Sequence, residues 1–459
     1  MHTLDQILTK KDYSRKTPAS LFYKDSPLWQ KLLTISCVVF LSGAGLGEWK
    51  VLNGMLGGLP KAISLGVIGL AMLYTLFYPD EKRLREIWKP TLLYMSLMAA
   101  LFFWSMVIWI KSFATVSSMI RSCSKLVFQS IAILTAVALV YLFREKAIEL
   151  FTISICITNG AIMLLCIPDY GVAASIQSLV TCLVTFGEAV GYARQLEIHD
   201  LTFVFGQMIL YYAVFAPRTT RQEKRKRWRY LLLCCWFFLV GMKRIAIPAV
   251  VLFILIALLL RKRKVPSWFY PAVGVCYILF FLVFLYCVRY GIISRLLNSV
   301  GVDMMGRDYL WSMATPYYEF SITYLGHGFE YVDTIIGQWY SAGLINHPYP
   351  FHNDILKVFV EVGFPGFLLW SGIQYVLTPL FWQRYADQQT ALLYMCELGY
   401  MTVTYLTDNT AFYFWSTMAL RLVTFAYAME RKKPPEPKVW MPDSRQEMRD
   451  RIRILMKEV

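Results

Sequence analysis

Apolar runs near the ~20 residues that carry a helix across a bilayer recur through this chain and leave few other folds open to it. FYPAVGVCYILFFLVFLYCV, residues 269 to 288, contains no charged side chain. With 57% hydrophobic and 17% charged residues, the chain holds more apolar surface than a soluble core can absorb. It reads as an all-α, polytopic membrane protein of about 12 transmembrane helices.

The apolar runs place spans at 30–48, 60–78, 91–110, 126–143, 148–167, 201–216, 228–243, 244–260, 268–290, 364–381, 390–406 and 411–430. Most of the 46 Lys and Arg residues fall in the N-terminus, alternate loops and the C-terminal tail, so the positive-inside rule predicts both termini in the cytoplasm. Five segments follow: a cytoplasmic stretch 1–29, nine helices over 30–290, a large external loop 291–353, three helices over 354–430, and a basic cytoplasmic tail 431–459. The opening MHTLDQILTKKDYSRKTPAS lacks the short apolar region and cleavage site of a removable signal.

The net charge of +16 gathers in RQEKRKRWR, RKRK and the tail, as expected of cytoplasmic anchoring rather than nucleic-acid binding. In the tail, Met448, Ile452, Leu455, Met456 and Val459 recur at helical spacing among basic residues. That pattern predicts a helix lying on anionic lipid. The loop 291–353 has no cysteine, so no disulfide framework is expected there. The sequence offers no Asp-x-Asp, Gly-rich phosphate loop, Gly-x-Ser-x-Gly or His-Glu-x-x-His foothold for a soluble nucleotide-sugar transferase, ATPase, hydrolase or zinc protease. Without an evident internal repeat, a transporter of inverted halves is disfavoured.

The candidate chemistry sorts onto the external face. Of the five histidines, His199, His327, His347 and His352 fall in predicted external segments. Residues 230 to 260 are apolar except around Gly241, Met242, Lys243 and Arg244, and as one helix they would run to about 46 Å, too long for a single span. Strongly basic flanks on both sides predict a hairpin instead. Its tip would hold Lys243 and Arg244 at about the depth of a lipid phosphate, where charge is expensive and tends to be functional, with snorkelling as the alternative.

Downstream, GRDYLWSMATPYYEF sets Leu310, Met313 and Tyr317 on one face of an interfacial helix and makes Arg307 a second phosphate-binding candidate, with Asp303 and Asp308 as ordinary salt-bridge partners. His352 precedes a helix expected to begin near Asn353 or Asp354, whose amide dipoles disfavour the imidazolium. Neutral imidazole accepts a proton. Gly363, Pro365 and Gly366 break or bend that helix for close packing. Further substrate-contact candidates are Arg194 and His199 before the sixth span, with a structural role as the alternative, His327 in TYLGHGF, with loop packing as the alternative, and Asp408 and Asn409 in LTDNTAF, which would orient sugar hydroxyls or partner an arginine, with a helix cap as the competing role.

HNDILKVFVEVGFPG, a His-Asn pair followed after nine residues by Gly-x-x-Gly, resembles the signature of bacterial O-antigen ligases and O-antigen, capsule or exopolysaccharide polymerases. Gly-Arg-x-x-x-Trp at 306–311, the Gly-x-Gly at 326–328 and Arg244 at a hairpin tip are similar to features of the same family over about 190 to 430. Met242 and Lys243 depart from its usual serine-containing turn, and the Pro-Asn pair before the sixth span is missing. The resemblance implies a GT-C-type membrane glycosyltransferase using an undecaprenyl-diphosphate-linked oligosaccharide and a glycan acceptor, without metal or other cofactor. His352 would then be the base, and Arg244 and Arg307, assisted by Lys243, would hold the diphosphate. Membrane lipids and chain-length-control or flippase proteins are the expected partners. The polymerase is the leading expectation, a ligase acting on a terminal acceptor such as lipid A core the nearest rival, and a flippase or transporter the more distant one.

Overall fold

The computed structural model describes residues 28–431 apart from 57, 58, 113, 114, 186–188, 300, 302, 303 and 305. The predicted tail helix and the possible Arg307 partner Asp303 lie outside the described residues. Every regular element among the described residues is helical. Lipid supplies no hydrogen-bonding partner, so a segment crossing it must satisfy its own backbone, as a helix does.

The helices used below are α1 (Leu28–Leu46), α2 (Leu65–Phe77), α3 (Glu81–Ser112), α4 (Val116–Phe143), α5 (Ala147–Tyr170), α6 (Val172–Thr185), α7 (His199–Leu210, continued by a π turn to Phe215), α8 (Arg221–Val240), α9 (Ala246–Leu260) and α10 (Phe269–Arg289). There follow α11 (Ile292–Ser299), α12 (Arg307–Ala314), α13 (Tyr331–Ser341), α14 (Asp354–Ser371, continued to Tyr385), α15 (Gln388–Tyr405) and α16 (Phe414–Arg431). Each apolar run marked in the sequence coincides with one of these helices. Among the described residues, five stretches are long and apolar enough to cross a membrane: Leu28–Leu46, Glu81–Ser112, Val116–Tyr170, Phe269–Arg289 and Asp354–Tyr385. The shorter apolar helices include Leu65–Phe77, Asp200–Phe215 and Ala246–Leu260.

Two departures from the sequence reading affect the site. The helices α3 and α4 begin about ten residues before the apolar windows that marked them, because their first turns are polar yet helical. An additional helix, α6, occupies what reads as a connection before the sixth span.

Burial separates inner from outer helices. The apolar window of Asp354–Tyr385 is 72% buried, whereas that of Phe269–Arg289 is 22% buried. Thus α14 is interior, while α10 presents residues such as Leu279 and Val283 outward, as a lipid-facing helix does. The principal packings are α4 on α16, α1 on α5, α9 on α15, α3 on α4 and α7 on α8. Polar caps start several helices. Thr220 and Glu223 form a capping box on α8, and Asp387 accepts from Thr390 N (2.9 Å) at the start of α15.

The bundle has two polar ends. At one, Arg218 and Arg261 donate to Val214 O, and Gln388 reaches Arg263 O (2.6 Å). The α8–α9 turn, the start of α14 and the α15–α16 turn meet at the other. By the positive-inside rule, the distribution of basic residues predicts that the first end faces the cytoplasm. With Ser341, Ser299 and Gln222 all exposed, Ser341→Cys and Ser299→Cys should react with an impermeant maleimide added outside cells, and Gln222→Cys should not, each compared with the unaltered chain. Outside labelling of Gln222→Cys would invert the map.

Candidate functional site

The hairpin expected between residues 230 and 260 is formed by α8 and α9, joined through Gly241–Ile245. Its turn needs close approach and a left-handed residue: a Cβ on Gly241 would lie 2.2 Å from Thr202 Oγ1, and Met242 has φ +51°. Lys243 Nζ donates to Glu197 Oε1 (2.8 Å), lies 3.9 Å from Asp408 Oδ2 and sits over the Phe203 ring at 6.0 Å. Part of its charge is thereby committed to protein carboxylates. Arg244, beside it, is exposed.

The turn forms one wall of a cavity of about 470 Å³, which Arg194, Glu197, Arg244, Arg307 and Asp408 also line. Arg307 is far away in sequence and opens α12 behind Gly306, whose φ of +77° supplies the left-handed step into the helix. Its partners in that helix, Leu310 and Trp311, are buried. A second cavity, also about 470 Å³, continues from Arg307 past Tyr309 and Asn346 to His352. A third, about 360 Å³, has His352, Glu197 and Asp408 in its wall together with Lys125 and Gln129 of α4. His352 therefore belongs to the walls of both the second and the third cavity.

Four contacts fix the His352 segment. Trp311 Nε1 donates to Phe351 O (3.2 Å), tying the Gly-Arg-x-x-x-Trp helix to the residue before the histidine. His352 N donates to Asn409 Oδ1 (2.9 Å). Asn353 caps α14 by accepting from Leu356 N (3.0 Å), and Ala411 N donates to Asp354 Oδ2 (2.7 Å). His352 itself has φ +54°, a conformation that His and Asn adopt more readily than most residues. Its Nδ1 faces Asp408 Oδ1 at 3.4 Å. A tautomer with its proton on Nδ1, directed at that carboxylate, leaves the Nε2 lone pair available.

The Gly-x-x-Gly end of the motif has a packing role. Helix α14 breaks at Gly363 (φ +65°, ψ −172°), where a Cβ would come within 2.2 Å of Leu325 C. Across the break, Gly326 has φ +88° and would bring a Cβ to 2.4 Å from Glu361 O. His327 N and Gly328 N both donate to Glu361 O (2.9 and 2.7 Å), and Phe364 N donates to Tyr324 O (2.8 Å). The loop thus supplies the hydrogen bonds that the broken helix lacks. Substituting Ala for Gly363 should cost on the order of 2 to 4 kcal/mol through steric conflict and backbone strain. Thermal unfolding in detergent would read this as a lower midpoint, and an unchanged midpoint would remove the interlock.

His327, the other loop candidate, does not line the three cavities. Its Nε2 meets Tyr317 O at 2.7 Å and its ring stacks on Tyr331 with centroids 4.2 Å apart. Burial lowers its pKa, opposed by the Tyr317 carbonyl. Below it, Lys357 Nζ is held by Asp333 (2.8 Å) and Glu330 (3.4 Å). Burial raises Glu330, against the pull of Lys357. Burial alone would also raise Asp333, but the Lys357 ammonium and a hydrogen bond with Glu330 take it below the usual carboxylate range. Their cluster ties α13 to α14.

Among the remaining candidates, Arg194 is exposed in the first cavity. His199 begins α7, and its side chain lies outside the described residues. Asp408 and Asn409, assigned to sugar contact or capping by the sequence, act on His352. Sequence reasoning missed Asp200, whose carboxylate accepts from Trp415 N (2.8 Å) and Ser416 N (2.9 Å) and so caps α16. It also missed Glu197, Lys125 and Gln129. Gln129 interrupts an apolar run, which was the available signal.

Residues 230–371 match the protein-family model described as O-Antigen ligase. This segment is an O-antigen ligase family domain. It runs from α8 to the end of the regular part of α14 and contains Lys243, Arg244, Arg307, His352 and Asn353. Arg194, Asp408 and Asn409 are contributed from outside it. No curated protein matches the chain. The match covers this segment alone, and the apolar helices on both sides of it are those of an all-α polytopic membrane protein.

Proposed function

We propose that the protein is a polymerase that joins undecaprenyl-diphosphate-linked oligosaccharide repeat units into an O-antigen, capsule or exopolysaccharide on the external face of the cell membrane. The observation that carries the reading is the convergence of Arg244 and Arg307 on one cavity that continues to His352. Two guanidiniums offer a lipid diphosphate paired forks of donors, and neutral His352 is positioned beyond them to take a proton. The acceptor hydroxyl oxygen attacks the anomeric carbon and its proton passes to His352 Nε2. The bond from that carbon to the diphosphate oxygen breaks, its electron pair leaving with the diphosphate. Charge developing on the leaving group is stabilised by Arg244 and Arg307. Asp408 holds the imidazole orientation and offsets the charge it gains. A single displacement of this kind inverts the anomeric centre.

The family description favours a second reading, ligation of the lipid-linked glycan to a terminal acceptor such as lipid A core. Both readings use one donor and differ in the acceptor. Purified protein in lipid, given a lipid-linked repeat unit as sole substrate, should build longer lipid-linked chains if it is the polymerase. Transfer solely to an added terminal acceptor would make it the ligase, and no transfer to either would return the transporter.

A further inference from the structure

The third cavity is built largely from the half of the chain outside the O-antigen ligase domain. Lys50 and Lys61 come from the connection between α1 and α2, Lys125 and Gln129 from α4, and Asp200 from α7. Gln129 is 2% exposed and sits near the start of the apolar stretch of α4. Its Nε2 donates to Phe412 O, while among the described residues its Oε1 has no partner. A buried acceptor left unmet costs free energy, so the place of Gln129 in the cavity wall favours an occupant that brings a donor. The remaining wall suits the same guest. Glu48 is fixed by Lys61 (3.1 Å) and Trp415 Nε1 (3.2 Å), and Asp200 by the α16 amides, so their orientations are set before anything binds. Tyr413, partly exposed in the same wall, adds an aromatic surface. Closely spaced donors and acceptors beside an aromatic ring recognise a polyhydroxylated sugar ring.

The cavity's position supplies its role. It meets the Arg244 and Arg307 cavity through Asp408 and Glu197, and it shares His352 with the cavity between. A diphosphate held by the arginines occupies one side of the histidine, which leaves the other side for the attacking hydroxyl. We propose that the cavity lined by Lys125, Gln129 and Tyr413 is the acceptor-saccharide subsite, binding a polyhydroxylated sugar whose attacking hydroxyl faces His352 Nε2. The proposal rests on the glycosyl-transfer reading for its assignment as acceptor, but not for the binding of sugar.

The test uses the full chain in lipid nanodiscs and two probes, the lipid-linked repeat unit as donor and the octyl glycoside of the same repeat unit. The second has no diphosphate and can act solely as acceptor. Binding of the octyl glycoside without donor is measured by calorimetry, and initial rates are measured against each probe. Gln129→Leu and Lys125→Gln should each weaken octyl-glycoside binding and raise its KM by about tenfold, with the donor KM within about twofold of the unaltered protein. Lys125 is partly exposed on its helix, so Lys125→Gln keeps the test valid if Gln129→Leu fails to fold. Unchanged octyl-glycoside affinity in Lys125→Gln, or an equal rise in donor KM, overturns the proposal. Sugar binding that both variants weaken, with no transfer by the unaltered protein, would instead overturn the glycosyl-transfer reading while the sugar site stands.

Discussion

Replacing His352 with Asn should leave a folded protein that transfers glycan roughly 10² to 10⁴ times more slowly, the usual contribution of a positioned general base. Asn is preferable to Ala because the backbone at 352 has φ +54°, which Asn tolerates and Ala resists. An Ala variant would mix strain with lost chemistry. The backbone N–H bond to Asn409 and the Asn353 cap are both available to the Asn variant, so α14 should start where it does now. Single-turnover transfer from a lipid-linked donor is the measurement, with thermal unfolding as the control on folding. Asp408→Asn should slow transfer less than loss of the ring does, since it removes orientation and leaves the base. Near-normal rates in His352→Asn would remove the histidine from the mechanism.

Arg244→Ala and Arg307→Ala should each weaken donor binding and slow transfer, with a loss on the order of 2 to 4 kcal/mol of transition-state stabilisation apiece. Lysine at either position should restore part of the rate, because it supplies charge without the planar fork. The informative variant is the double. Both guanidiniums line one cavity, so on this account they grip one leaving group, and once either is lost the other has less to hold. The double variant should therefore be less impaired than the two single effects added together. Strict additivity of Arg244 and Arg307 with unchanged donor affinity would assign them separate structural roles.

How much of this was legible in the sequence depends on the range of the interaction. The all-helical membrane class follows from apolar length, and the α8–α9 hairpin from its length and its two basic flanks, both local properties. The start of α14 at Asp354 was also legible, because Asn353 is a good cap placed before an apolar run. Long-range pairings were not. Asp408 meets the His352 ring from another turn of the bundle, and nothing within LTDNTAF selects that partner over a helix cap. Gly363 was legible as a break that allows close packing, but the Gly326 loop backbone that packs against it was not. His327 stood among the histidines of one face, yet its ring is occupied by Tyr317 and Tyr331. The contribution of α4 was hidden for a different reason: Gln129 in an apolar run resembles a tolerated blemish until the cavity beside it is seen.

The central claim is that one diphosphate lies between Arg244 and Arg307 with His352 beyond it, and a bound-state structure tests it most directly. Cryo-electron microscopy of the full chain in lipid nanodiscs with undecaprenyl diphosphate should place both phosphates within hydrogen-bonding distance of the two guanidiniums, the prenyl chain leaving between helices and the His352 ring facing the terminal phosphate. Phosphate density at the other polar end of the bundle, or at the α8–α9 tip without Arg307, would contradict it.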